Sequence, residues 1–301
     1  MLVRLRTTVY AVLLALAFSA ATFAQTPAPA PKQVTIYGQK ISYLEAGSSG
    51  PQVILLHGLG GDGTNWSLTI PALAAKYHVY VPDQIGFGKS DKPIMSYRVA
   101  TLVEFLDQFY RQLGIQKATL VGNSLGGWTA VAFAIAHPQK VDKLVLVSAA
   151  GYTPKRYGGE ELPKEIYSVL NPSTTADLKR LFTAIFYDKK YTSDAFIAQA
   201  FTNKLMRGDG YTINSFIDSI MRGDDVIDDK VKTIRAPTLV VWGREDKLTS
   251  PAMADAFAQD ISGAQKIIFE QCGHMAQIEK AQEFNSALLK FLAGDSVVGS
   301  R

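Results

Sequence analysis

Cysteine is almost missing from this 301-residue chain. Cys272 stands alone, so no internal disulfide is available and the fold must be held by its core. Histidine is nearly as scarce. His57, His78, His137 and His274 are the full set, and no Cys/His spacing of the zinc-site kind occurs. An excess of charge of one sign is also missing. The formal balance is +4, and two of those charges, Arg4 and Arg6, lie in a segment that reads as removable. Without them 29 basic residues face 27 acidic ones, which leaves no electrostatic footprint for nucleic acid or an acidic partner. No internal repeat or low-complexity tract follows residue 32.

What is present begins with a short basic head, an apolar run from Val9 to Phe18, and then mostly small residues to Ala24. That layout predicts a secretory signal over 1–24, cleaved between Ala24 and Gln25. The run is shorter than the roughly 20 residues of a comfortable membrane span, with an uncleaved anchor as the alternative. The mature protein is therefore expected to be secreted or periplasmic, without a stable membrane span. Pro and Ala alternate from Thr26 to Pro31, a stiff tether assigned to a linker over 25–33.

Eight strand-like runs follow: VTIY (34–37), ISYLE (41–45), QVILLH (52–57), HVYVPD (78–83), ATLVG (118–122), KLVLVS (143–148), PTLVVWG (237–243) and QKIIFE (265–270). Helical patterns lie between them, at Asn65–Tyr77, Val99–Leu113, Leu125–His137, Pro251–Gln259 and Ala281–Leu292. Short apolar strands separated by amphipathic helices predict a mostly parallel α/β sheet covered on both faces. The alternation breaks once. From about Tyr152 to Lys232 only helical stretches occur, such as LKRLFTAIFY and INSFIDSIM, and they predict a helical cap over the strand ends. The expected divisions are a core over 34–151, the cap over 152–232, the rest of the core over 233–295, and a tail over 296–301.

Within ATLVGNSLGG one serine sits among glycines, at the junction of a strand and a helix. A very tight strand-to-helix turn forces its apex residue into strained angles and needs small neighbours. It also lifts the Ser124 hydroxyl clear of the sheet, at a helix N-terminus that favours negative charge. Gly122-x-Ser124-x-Gly126 in this context is the pattern of a nucleophile elbow. A serine hydroxyl needs a base, and the base needs an orienting acid. His274 follows the last strand and opens a loop, where it can reach a site above the sheet. Asp246 lies just past the strand ending at Gly243. Glu245 is its nearest competitor, but the tight Gly243-x-x-Asp246 turn aims the aspartate inward. An oxyanion would be held by the backbone N–H of Leu125 and by one from HGLGGDG, with Leu59 ahead of Gly60. Gly58, Gly60, Asn123, Trp128 and Met275 are expected around the substrate.

The glycine loop supports a rival. Gly58-x-Gly60-x-x-Gly63 fits a dinucleotide fingerprint, with Asp83 twenty residues further on. Against it, the loop follows an N-terminal hairpin, Pro71 interrupts the helix, and Ser124, Asp246 and His274 lose a shared purpose.

HG at 57–58, DQIGFGKSDKP at 83–93, GNSLGG at 122–127, GREDKL at 243–248 and CGHMAQIEKAQEFN at 272–285 resemble the landmarks of the α/β-hydrolase fold proteins. The likeness covers about residues 34–293 and implies an eight-stranded sheet with Ser124, Asp246 and His274 as a triad. It also implies that Asp83 shapes a turn. Asn123 and the C-terminal motif are similar to the C–C bond hydrolases that split meta-cleavage products of aromatic degradation. In those enzymes a tryptophan follows the histidine, where this chain has Met275. A cap arginine is expected to hold the substrate carboxylate, with Arg180, Arg207 and Arg222 available.

The expected activity is therefore that of a serine hydrolase acting on small to medium hydrophobic esters, with C–C cleavage as the alternative. Neither metal nor organic cofactor is required. Cys272 is read as a small buried filler. Asp224, Asp225, Asp228 and Asp229 are read as a solvated connector, poorly arranged for calcium.

Overall fold

The computed structural model describes residues 29–159, 167 and 169–297. The expected signal segment, and the tail beyond 297, lie outside the described residues. An eight-stranded sheet runs in the order β1-β2-β4-β3-β5-β6-β7-β8. Its strands are β1 (Lys32–Ile36), β2 (Gln39–Ala46), β3 (Gln52–Leu56), β4 (His78–Pro82), β5 (Ala118–Asn123), β6 (Val141–Val147), β7 (Thr238–Gly243) and β8 (Gln265–Phe269). Only the β1–β2 and β2–β4 pairs are antiparallel, and the rest are parallel. All eight expected strands are present. The first begins at Lys32, so the last two residues assigned to the linker are already in the sheet.

The central strands are mostly apolar because both faces are covered. Their alternate side chains enter two separate cores. Val53, Leu55, Val121, Val145, Val147, Leu239 and Val241 meet Leu73, Phe284, Leu288 and Phe291 on one face. Ile54, Leu56, Leu120, Leu144, Leu146, Val240 and Trp242 meet Leu102, Phe109, Phe133 and Phe257 on the other. Fully burying one such side chain stabilises by about 1.5–3 kcal/mol. A one-residue slip would send each set to the wrong face, so the register is strongly specified.

The covering helices are α1 (Ile70–Ala74), α2 (Val99–Gln112), α3 (Leu125–Ala136), α8 (Ala252–Asp260) and α10 (Ala281–Ala293). The expected helix from Asn65 to Tyr77 is broken in two, a 3-10 turn at Gly63–Trp66 and the short α1. Pro71 has no amide proton and its ring would collide with the preceding turn, so it sits at the start of a helix and not within one.

Between β6 and β7 the described residues contain no strand. They hold α4 (Pro154–Tyr157), α5 (Thr175–Ile185), α6 (Asp194–Arg207) and α7 (Gly210–Met221). Val169, Leu178, Leu181 and Ile197 form a small core of their own, while Ile213 and Phe216 join the main one. The connector after α7 differs from expectation. Asp225 pairs with Arg98 and accepts from Ala100 N (3.0 Å), supplying the N-terminal cap that α2 lacks on its own strand side. Asp228 accepts from Thr153 N (2.9 Å). Asp225 thus ties the insertion to the core and Asp228 joins its two ends, because exposed backbone amides at a helix start and past a strand exit need acceptors.

Candidate active site

Ser124 stands at the turn between β5 and α3 with φ 57° and ψ −119°. That backbone conformation is costly for a residue with a Cβ. The surrounding glycines make the turn possible. A Cβ on Gly122 would lie 2.2 Å from Gly126 O, and one on Gly126 would lie 2.3 Å from Leu56 O. Ser124 N donates to Val147 O (3.0 Å), and Ser124 O accepts from Trp128 N (3.0 Å) and Ala150 N (3.2 Å). The strained residue is therefore held by β6 and by its own helix.

His274 lies after β8 and is 2% exposed. Its Nδ1 is 2.8 Å from Asp246 Oδ2. A carboxylate only accepts, so Nδ1 carries the proton and Nε2 is left as the basic nitrogen. Among the described residues Nε2 has no hydrogen-bond partner. Ser124 and His274 line the same cavity, of about 850 Å³. Asp246 is set behind the imidazole and is fully engaged. Its Oδ1 accepts from Leu248 N and Thr249 N (2.9 Å each), and its Oδ2 also accepts from Thr249 Oγ1 (2.7 Å). Glu245 turns the other way and accepts from Cys272 N (2.9 Å), which removes it as the acid.

The loop after β3 reaches the elbow closely: a Cβ on Gly58 would stand 3.0 Å from Ser124 Cβ. His57 fixes that loop. It is fully buried, bonds Gly58 O through Nδ1 (2.8 Å), and accepts from Gln84 N through Nε2 (3.0 Å). Burial pushes its pKa below the usual imidazole value, so it stays neutral. Leu59 and Leu125 both lie on the cavity wall. Among the described residues neither of their amides donates to a carbonyl in a turn or loop, as an oxyanion donor requires.

The remaining sequence candidates divide. Gly58, Gly60, Trp128 and Met275 line the cavity. Asn123 also touches it, but its amide nitrogen donates to Val147 O and His274 O (3.1 Å each), so it braces the histidine loop and has no donor left for substrate. Trp128 Nε1 is likewise taken, by Asp225 O (3.0 Å). Cys272 is fully buried, and burial raises its thiol well above the ordinary range. Asp83 shapes a turn: it accepts from Gly63 N and Lys89 N (2.8 Å each). The glycine run thus opens a single 3-10 turn, not the long helix that a dinucleotide phosphate would need.

One contributor escaped the sequence reading. Thr249 grips Asp246 with both its amide and its hydroxyl, and the Asp246-x-x-Thr249 spacing of a side-chain-capped turn was the available signal. The helical insertion also reaches the site. The cavity wall includes Leu178, Leu181, Phe182, Phe186, Tyr191 and Ile213 from it, beside the polar Lys204, Arg207 and Asp209. Arg207 pairs with Asp62 (2.6 Å), Arg222 with Asp224 (2.7 Å), and Lys204 stands 3.7 Å from Asp209. Arg180 is exposed, pairs with Asp177, and is not on the wall.

A family profile described as alpha/beta hydrolase fold matches residues 51–281. A 2-hydroxy-6-oxononadienedioate/2-hydroxy-6-oxononatrienedioate hydrolase from Paraburkholderia xenovorans LB400 is 31% identical over 264 residues, covering 84% of this chain and 91% of that protein. Among solved structures, a bacterial membrane phospholipase A superposes with a TM-score of 0.79 at 26% identity, covering 88% of this chain and 86% of the other. A meta-cleavage product hydrolase from Pseudomonas fluorescens IP01 gives 0.77 at 29% identity, covering 87% and 97%.

Proposed function

This chain belongs to the α/β-hydrolase fold family of hydrolases, and on that footing we propose that it is a serine hydrolase working through an acyl-enzyme. The observation that carries the reading is the buried Asp246–His274 pair, with an unpartnered Nε2 on the same cavity as a strained Ser124. Ser124 Oγ attacks the substrate carbonyl carbon while His274 Nε2 takes its proton. The developing oxyanion is held by the Leu59 and Leu125 amides, each such donor being worth about 10²–10³ in rate. Collapse expels the leaving group, which takes the proton back from His274. Water, deprotonated by the same nitrogen, then frees Ser124. Asp246 holds the imidazole in the required tautomer and offsets its transient charge.

The bond broken is, in our reading, a carboxylic ester with a hydrophobic acyl group. Its support is the charge balance of the cavity. Among the described residues each lysine and arginine of its wall stands beside an acid, so none of these three is a free cation for an anionic substrate. The second reading is C–C cleavage next to a ketone, favoured by the names of the curated relatives and by Arg207 on the wall. Met275 in place of the expected tryptophan weighs against it.

One comparison separates the two. Purified protein is given p-nitrophenyl butyrate and a vinylogous diketo acid, with Ser124→Ala as the blank. We expect kcat/KM for the ester to lead by at least about tenfold. The reverse order transfers the assignment to C–C cleavage, and turnover kept by Ser124→Ala rejects both.

The basic head, the apolar run and Ala24 support export with loss of residues 1–24. N-terminal sequencing of protein from the cell envelope and medium should begin at Gln25. A chain that still begins at Met1 in the membrane fraction would make the segment an anchor.

A further inference from the structure

His274 sits in a loop beyond the last strand, where no ladder holds the backbone. Three successive amides of that loop are nevertheless bonded, each by a different element. Cys272 N donates to Glu245 Oε2 (2.9 Å), Gly273 N to Glu279 Oε2 (2.7 Å), and His274 N to Ile185 O (2.6 Å). Ile185 is the last residue of α5, in the helical insertion. The next carbonyl back, Ala184 O, accepts from Lys247 N (3.3 Å), beside the acid Asp246. The free carbonyls at the end of one inserted helix are thus satisfied by the two loops that carry the base and its acid.

Glu279 closes the arrangement. Its Oε2 takes Gly273 N, while its Oε1 takes Tyr187 N and Asp188 N (2.8 Å each), the amides just past α5. One carboxylate therefore spans the insertion and the histidine loop. The fit is close. A Cβ on Gly273 would lie 2.2 Å from Ile185 O and 3.0 Å from Glu279 Oε2. Burial raises the Glu279 pKa, and the three amides oppose that shift. Among the described residues no lysine or arginine stands within ion-pair distance of it, and a partly buried carboxylate that takes three amides serves to bind backbone.

We propose that Glu279 is a positioning residue, which locks the end of α5 onto the histidine loop and thereby sets His274 at its working distance from Ser124. The inference rests on the serine-hydrolase reading. A displacement of about 1 Å between reacting groups costs on the order of 10² in rate. Loosening this clamp is expected to act on the chemical step more than on binding.

The test compares Glu279→Ala, Glu279→Gln and Gly273→Ala with the wild type in the full mature chain. The readouts are the rate at which a fluorophosphonate modifies Ser124, the kcat and KM for p-nitrophenyl butyrate, and Tm. Glu279→Ala should label Ser124 about 10–100-fold more slowly and lose kcat in proportion, with KM within about threefold, at a temperature well below its Tm. Glu279→Gln keeps one carbonyl acceptor and should fall between. Gly273→Ala, which pushes the same two surfaces apart, should resemble Glu279→Ala. If Glu279→Ala fails to fold, the Gln variant carries the same comparison. Labelling and kcat at wild-type rates, or a change confined to KM or Tm, would overturn the proposal. A wild type that does not label at all would instead overturn the serine-hydrolase reading.

Discussion

The two ends of the proposed proton path are built by different means. Ser124 is placed by its own neighbourhood: a strand, three glycines and a helix within ten residues, with every critical contact local or one strand away. His274 is placed by borrowed contacts. Its amide goes to an inserted helix 89 positions earlier in the chain, its carbonyl to Asn123, and its imidazole to Asp246. The proposed nucleophile is fixed by steric limits on a tight turn, and the proposed base by hydrogen bonds between segments far apart in sequence. Damage near Ser124 should therefore cost stability as well as rate, whereas damage near His274 should cost rate first.

The largest expected effect sharpens the second half of that contrast. In Asp246→Asn the amide oxygen must stay toward Leu248 N and Thr249 N, which need an acceptor. The NH₂ then faces His274 Nδ1, so the imidazole proton moves to Nε2 and the base is blocked. Ester kcat should fall about 10⁴-fold with little change in Tm. A loss under tenfold would show that the pair does not set the tautomer.

Next comes a stability test of the elbow. Gly126→Ala drives a methyl into the Leu56 and His57 carbonyls, at 2.3 and 2.6 Å. Urea unfolding should show a loss of about 3 kcal/mol or more. Gly114→Ala is the partner measurement. Gly114 has φ +68° but open space around it, so its cost should be only about 1–2 kcal/mol. A Gly126→Ala cost no larger than that of Gly114→Ala would mean that the contact is relieved by small shifts and does not limit the elbow.

The smallest effect concerns pH. Burial depresses the His57 pKa in the folded chain, while the unfolded chain protonates this histidine near pH 6.5. Below that value the unfolded state binds a proton that the folded state refuses. Stability should therefore drop as pH falls from 7 to 5, by up to about 1.4 kcal/mol per pH unit. His57→Asn should flatten that slope while lowering stability at pH 7. An unchanged slope would move its origin to another group.

The same contrast explains what the sequence made legible. The central strands, buried on both faces, read as plain apolar runs, and the partly covered β1 and β8 were still visible as short runs between turns. The elbow was legible because only small residues fit a turn that tight, and Ser124, Asp246 and His274 follow in the order that a triad on this sheet would require. The break at Pro71 left a signal that a helical period over 65–77 overrode. What could not be read was held by backbone carbonyls and by partners without a motif. Ile185 O leaves no mark on residue identity, and Glu279 looks like any acid on a short helix. Asp225 and Asp228 read as solvated charge because nothing local announces that the amides they accept from belong to Ala100 and Thr153. Asn123 was assigned to the pocket by its place beside Ser124, yet its amide is spent on two carbonyls.

The most direct test of the account is peptide mapping after fluorophosphonate treatment of wild type and His274→Gln at neutral pH. The account predicts one adduct, on the peptide containing Ser124, formed rapidly in the wild type and at least about 10³-fold more slowly in the variant. An adduct on another serine such as Ser148 or Ser250, or equal rates in both proteins, would contradict it.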